Sequence, residues 1–250
     1  MPLDIYYLLL NIELILAAVI FILLSFISAP YGRFGRKGWG QIVPSRIAWI
    51  VMEMPSLVIP ILLMIYSSFS PVSLIFLLIW LSHYFHRTII YPFRISDPQK
   101  PFSILILIWG FLFNMLNSVV NFYFLFFVRV INDVSWFYNW KFLLGLSVFI
   151  LGFILNKESD AILRKLRSEN VKSYSIPRGG LFRWISAPNY LGEILEWGGW
   201  ALLTWSLAGS AFFLFTIANL VPRAIMIHKW YINNFDEYPS SRKAILPFLC

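Results

Sequence analysis

Glu53 stands in the middle of an apolar run, RIAWIVMEMPSLVIP, one turn after Trp49 and two residues before Pro55. A carboxyl at that depth is expensive and faces a partner or a polar cavity. It suits an interhelical hydrogen bond or, as the neutral acid, donation to the carbonyl of a buried substrate. The lack of a basic residue in its own segment favours the neutral acid, and Pro55 would loosen the helix and open space beside it. A second group lies in HYFHRTIIYPFR, where Tyr84, Arg87, Tyr91 and Arg94 recur at i, i+3, i+7 and i+10 on one helical stripe. This is either an aromatic belt with snorkelling arginines or a phosphate-binding stripe with Tyr84 at its deep end, placed to donate a proton.

In NKESDAILRKLR, Asn156, Asp160, Arg164 and Arg167 share a face. They suit interfacial solvation, or amide and ribose contacts at one end and phosphate contacts at the other. The stretch Tyr174–Trp200, YSIPRGGLFRWISAPNYLGEILEWGGW, passes from a basic, Gly/Pro-punctuated loop into an apolar segment. Helical spacing aligns Asn189, Glu193, Glu196/Trp197 and Trp200 there, which marks a site rather than an anchor. The tail residues Arg223, His228, Tyr231, Asp236, Glu237, Tyr238 and Arg242 interleave charge with aromatics, a pattern for packing on something ordered. The basic, Gly-rich run from Gly32 to Gly40 reads as a headgroup contact or flexible loop, and His83 with His86 as a packed or interfacial pair. No G-x-G-x-x-G follows a strand and no P-loop occurs, so any nucleotide needs a non-Rossmann site. Three histidines without H-E-x-x-H argue against a metal.

The elements that must position these groups are membrane helices. Of 250 residues, 59% are hydrophobic and only 13% charged, far from a soluble composition. The fold class expected is an all-α integral membrane protein, one domain over residues 1–250. Apolar runs at 5–28, 46–67, 70–91, 102–128, 138–157, 189–207 and 209–230 are each long enough to cross a bilayer, with a tight turn near Ala208-Gly209-Ser210 joining the last two. Basic residues such as Arg33, Lys37, Arg46, Lys100, Arg164, Lys172 and Lys243 then fall on one side, and only Arg129 and Lys141 on the other. That asymmetry puts the N-terminus outside and the C-terminus in the cytoplasm. The net charge of +8 belongs to topology and lipid contact, not nucleic-acid binding. The single cysteine, Cys250, excludes an intramolecular disulfide. The first run lacks a signal peptide's basic region and is expected to be retained.

These motifs, in this order and over nearly the whole chain, resemble the steroid 5α-reductase family. They are Glu53-Met54-Pro55, HYFHRT at 83–88, Asn156 to Asp160 with Leu163 to Arg167, Tyr174 to Trp200, and Phe235-Asp236-Glu237-Tyr238-Pro239 with Ser241-Arg242-Lys243. The resemblance implies NADPH-dependent reduction of the Δ4 double bond of a 3-oxo-Δ4-steroid to a 5α product. It makes Glu53 and Tyr84 the pair polarising the 3-oxo group, and Trp49 and Trp197 contacts of the steroid rings. It gathers Asn156, Asp160, Arg167, Tyr174, Asn189, Glu193, Arg223, His228, Tyr231 and Arg242 around the dinucleotide, with Arg87 as a phosphate contact and Arg94 where loop lengths vary. Met52 replaces the glutamine common in steroid enzymes of the family. The implied partners are a lipophilic substrate arriving through the bilayer and membrane lipids, and the protein is expected to be a monomeric bacterial homologue. Bacterial inner membrane and endoplasmic reticulum both fit, with the cofactor site facing the cytoplasm. Alternatives are reduction of another lipidic enone, enoyl or polyprenol substrate, an isoprenylcysteine-type methyltransferase, or a non-enzymatic lipid or sterol carrier or scaffold.

Overall fold

The computed structural model describes residues 1–30, 32–36, 38–169 and 174–247; Lys37, Lys172 and Cys250 lie outside the described residues. The described residues hold seven long helices: α1 Leu3–Phe26, α2 Ser45–Ile65, α3 Pro71–Phe85, α4 Ile104–Tyr123, α5 Trp140–Glu169, α6 Pro188–Thr204 and α7 Leu207–Asn234. A π-helical turn over His86–Ile90 and a 3₁₀ turn over Tyr91–Arg94 prolong α3, and a π-helical turn over Phe124–Val128 prolongs α4. Six of these segments are long and apolar enough to cross a membrane. The expected seventh, α6, has only 17 residues, about 25 Å of helix, and carries Asn189, Glu193 and Glu196. Two short strands, β1 Ile42–Pro44 and β2 Pro101–Ser103, pair antiparallel with Ile42 opposite Ser103. This clip joins the segments leading into α2 and α4, and a purely helical reading did not include it.

Two boundaries differ from the hydropathy reading. Helix α5 runs on to Glu169, well past Lys157, because Ile162, Leu163 and Leu166 continue a helical stripe through the charged segment. The α6–α7 turn falls at Trp205–Ser206 rather than at Ala208-Gly209-Ser210. Trp205 takes a left-handed φ of 46°; Arg129 Nη1 donates to its carbonyl at 2.7 Å and Lys141 sits 4.1 Å from its ring centroid. Gly209 is helical and serves packing, since a Cβ there would lie 2.8 Å from Thr204 Oγ1 and 3.0 Å from Ala201 Cα.

Helices α5 and α6 touch backbone to backbone through facing pairs of glycines, Gly145 with Gly199 and Gly152 with Gly192. A Cβ on Gly145 would lie 2.8 Å from Gly199 O, and one on Gly192 would lie 2.5 Å from Asn156 N. Within a bilayer such close approach replaces the missing hydrophobic drive. Trp80 forms the centre of the largest core, with ring centroids of Tyr84, Phe122, Trp197, Trp200 and Phe212 at 4.8, 5.1, 5.2, 5.2 and 5.6 Å. Its indole Nε1 donates to Ser56 O at 2.8 Å. Pro60, four residues on, has no N–H to give that carbonyl, so α2 and α3 are joined where the proline leaves an acceptor unpaired.

Candidate active site

Glu53 is buried on α2, between α3 and α4. From α4, Asn114 Nδ2 donates to Met52 O at 2.8 Å and to Glu53 Oε2 at 3.2 Å. From the π-helical turn after α3, Arg87 Nη2 lies 3.6 Å from Glu53 Oε1, close enough for ion pairing but beyond a hydrogen bond. Glu53 has no basic residue in its own segment, as expected, but a basic neighbour comes from another helix, which weakens the argument from its segment for the neutral acid. Arg87 is sandwiched by aromatics, its guanidinium 4.5 Å from the Trp49 ring centroid and 5.0 Å from that of Tyr91. The carboxylates of Glu193 and Asp160 also act on it electrostatically. Tyr84 is buried near Glu53 and tilts against Trp197 at 5.6 Å.

The residues preceding Tyr84 and Trp197 form a buried link between α3 and α6. His83 Nδ1 and Glu196 Oε1 are 2.7 Å apart, with side chains 3% and 0% exposed. The His83 ring stands edge-on to Trp197 at 4.7 Å and to Tyr84 at 5.0 Å. Sequence reading treated His83 with His86 and left Glu196 without a partner; 113 residues separate the true pair, and no local spacing signals it.

At the end of the bundle where α1 and α7 finish, a cavity of about 110 Å³ is lined by residues that include Arg33, Arg167, Tyr174, Asn189, Tyr190, Arg223 and Tyr231. Arg33 lies over the rings of Tyr174, Trp230 and Tyr231 at 5.0, 4.6 and 4.6 Å, and its Nη2 donates to Tyr231 Oη at 3.2 Å. Arg223 Nη2 donates to Tyr190 Oη at 2.9 Å. Lys100 Nζ donates to Tyr174 Oη at 3.2 Å. Asn156 Nδ2 donates to Asn189 O at 3.0 Å, and Asn189 Nδ2 to Asp160 Oδ1 at 3.5 Å, so α5 sets the position of the first turn of α6. Buried Arg33 Nη1, Arg164 Nη1, and Arg242 Nε and Nη1 have no hydrogen-bond partner among the described residues. Guanidinium nitrogens held this way suit an anionic, phosphate-bearing ligand.

Of the residues expected at the nucleotide, Arg167, Tyr174, Asn189, Arg223 and Tyr231 come together on this cavity. Arg242 packs beneath it, 5.1 Å from the Tyr238 ring centroid, and Tyr238 stacks on Tyr231 at 5.2 Å. Arg94 is exposed and lies outside the lining. The π-helical turn at His86–Ile90 breaks the register that aligned it with Tyr84. His228 Nδ1 is 2.6 Å from Ser186 Oγ, which also meets Tyr238 Oη at 2.6 Å; the histidine fastens α7, and Tyr238 the tail, to the loop before α6. Two contributors went unforeseen. Arg33 sits in the run taken for a headgroup contact or flexible loop, and Asn114 belongs to a buried series Asn114, Asn117 and Asn121 whose i, i+3, i+7 spacing was present in span four. Among the described residues no group of three metal-ligating side chains occurs.

The described residues thus hold Glu53 and Tyr84 together against an aromatic wall and, apart from them, an arginine-rich cavity. Comparison with known proteins identifies its kind. The family model described as 3-oxo-5-alpha-steroid 4-dehydrogenase matches residues 100–250. A steroid 5-alpha-reductase DET2 of Arabidopsis thaliana is 46% identical over 243 residues, covering 91% of this chain and 90% of its own. The 3-oxo-5-alpha-steroid 4-dehydrogenase 1 of Bos taurus is 38% identical over 244 residues, with 95% and 94% covered. The human protein of that name is 41% identical over 228 residues, with 89% and 86% covered. These relatives are plant and animal proteins and give no support to the bacterial source expected from the sequence. The chain belongs to the 3-oxo-5-alpha-steroid 4-dehydrogenase family and is a membrane oxidoreductase acting on CH–CH groups.

Proposed function

We propose that this protein reduces the Δ4 double bond of a 3-oxo-Δ4-steroid to the 5α-3-oxosteroid, with NADPH as reductant. The observation that carries the reading is the carboxyl–phenol pair of Glu53 and Tyr84 beside Trp197, in a chain alike along nearly its full length to enzymes named for that reaction.

NADPH is the cofactor known for steroid 5α-reductases, and the residues present fit it. Arg33, Arg164, Arg167, Arg223 and Arg242 would hold its phosphates, and Tyr174, Asn189, Tyr231, Asn156, Asp160 and Glu193 its remaining groups. When bound, it supplies the hydride that C5 receives. The chain's own residues manage the charge. As the hydride reaches C5, negative charge builds on the C3 oxygen until C4 takes a proton from water or Tyr84, and Glu53 with Tyr84 holds hydrogen-bond donors there. Asn114 engages Glu53 Oε2; Oε1 stands 3.6 Å from Arg87 Nη2, beyond a hydrogen bond. As the neutral acid, Glu53 would turn the proton on Oε1 toward the ketone while Arg87 adds positive charge beside it. Donors fixed in a dry site stabilise such charge far better than water does. Trp49 and Trp197 supply flat apolar surface for the steroid rings. The protein is a single reductase domain and a monomer, with its N-terminus outside, its C-terminus and cofactor cavity cytoplasmic, and its substrate arriving from the bilayer.

The test is NADPH absorbance with purified protein and a 3-oxo-Δ4-steroid, alongside thermal unfolding with NADPH or S-adenosylmethionine. Steroid-dependent oxidation and a melting temperature raised by NADPH are expected. A rise with S-adenosylmethionine alone, and no oxidation, overturns the reading in favour of a methyltransferase.

A further inference from the structure

On α1, the buried positions Tyr6, Leu10, Glu13, Ala17 and Leu24 form one stripe, and at about 100° per residue Glu13 lies in its middle. Glu13 is 0% exposed, and neither carboxyl oxygen has a hydrogen-bond partner among the described residues. On α4, Asn117 is also 0% exposed; its Oδ1 accepts from Asn121 Nδ2 at 2.8 Å, yet its own Nδ2 has no partner. Tyr6 and Leu10 pack in one cluster with Val120 and Leu116 of α4 and with Ala208 and Ala211 of α7. The start of α1 meets the end of α4, where Tyr123 Oη donates to Met1 O and Tyr6 stacks on Tyr123 and Phe124, so α1 and α4 run antiparallel. Glu13, about 10 Å beyond Tyr6, then falls level with the turn from Phe113 to Asn117. Asn117 is one turn from Asn114, which holds Glu53, and lies between the α4 face toward α2 and the face toward α1. The Tyr6 hydroxyl, two turns before Glu13 on the same stripe, is unpartnered too.

Unpaired buried polar atoms are costly in a bilayer, and natural proteins keep them where something else completes them. We propose that Glu13 and Asn117 form a polar subsite for a second oxygen-bearing group of the substrate, a hydroxyl or carbonyl away from the 3-oxo group. The carboxyl can accept and, as the acid, donate; the amide nitrogen donates, and together they satisfy a hydroxyl in both its roles. The subsite rests on the reading of Glu53 and Tyr84 as the 3-oxo site. It makes a hydrocarbon-ended steroid a poorer substrate than one bearing oxygen at the far end.

The experiment compares two 3-oxo-Δ4-steroids that differ only in a hydroxyl at the end of the ring system opposite the ketone. Wild-type protein is expected to prefer the hydroxylated one. Glu13→Leu and Asn117→Leu should each lower kcat/KM for it about tenfold, the size of one buried hydrogen bond, and leave the other steroid unaffected, while Glu13→Gln keeps the preference. Without steroid, the melting temperature of Glu13→Leu should equal or exceed that of wild type, because an unpaired group is removed. Equal losses on both steroids, or a lowered melting temperature, overturn the subsite. A wild type that reduces both steroids equally well removes the subsite alone; one that reduces neither removes the 3-oxo reading and the subsite with it.

Discussion

The His83–Glu196 pair is the sharpest structural prediction, because it fixes the two residues next to it in sequence, Tyr84 and Trp197. At 2.7 Å and almost no exposure, each partner is the other's only hydrogen bond among those described. Glu196→Leu leaves the His83 nitrogen buried and unpaired, which costs about 1–3 kcal/mol. For a chain of this size that lowers the melting temperature by roughly 2–4 °C per kcal/mol. His83→Phe does the same to the carboxyl. The double variant, with neither group left unpaired, recovers most of the loss, so a double-mutant cycle should return a coupling that approaches the sum of the two single losses, about 2–6 kcal/mol. Activity should behave differently. With the α3–α6 link gone, Tyr84 and Trp197 are held by packing alone, and displacement approaching 1 Å lowers rates by up to about 10²-fold. All three variants should therefore lose steroid kcat/KM while KM for NADPH stays near wild type. Thermal unfolding in detergent and steady-state kinetics on the four proteins provide the readout. Melting-temperature losses that simply add, to within the roughly 0.3–0.5 kcal/mol of independent sites, or full activity in the double variant, would refute the reasoning.

Three further outcomes are expected. Glu53→Gln should slow steroid reduction by about 10²–10³-fold with NADPH binding, read by thermal shift, intact; near-normal turnover rules out carbonyl polarisation. Arg33→Ala should raise KM for NADPH about tenfold through loss of a charge-assisted contact, whereas Arg94→Ala, outside the cavity, should leave it unchanged; the reverse pattern moves the phosphate site. Gly192→Ala should abolish NADPH-dependent stabilisation, because the added methyl meets Asn156 N at 2.5 Å and forces α5 from α6 at the Asn156–Asn189 bond; retained stabilisation shows that the backbone contact is dispensable.

Hydropathy located the long helices because bilayer thickness imposes their length, and it misled where that constraint stops. It ended span five at Lys157, although helix α5 continues as a charged extension, and it read Gly209 as a turn when its role is close packing. That Arg167, Tyr174, Asn189, Arg223 and Tyr231 gather on one cavity was legible because the resemblance grouped them and their residue types suit phosphate and ribose chemistry. Arg33 was hidden in a glycine-rich loop whose composition fits flexibility equally well. Asn114 and Asn117 were passed over inside an apolar run, though their spacing was available. The Glu53–Arg87 and His83–Glu196 pairings depend on helix adjacency across the bundle, which no single segment encodes.

The central claim is best tested by product analysis with NADPH carrying deuterium at the transferable position and a 3-oxo-Δ4-steroid. A 5α-3-oxosteroid with deuterium at C5 is expected. A product labelled elsewhere, a 5β product, or an unchanged steroid would contradict it.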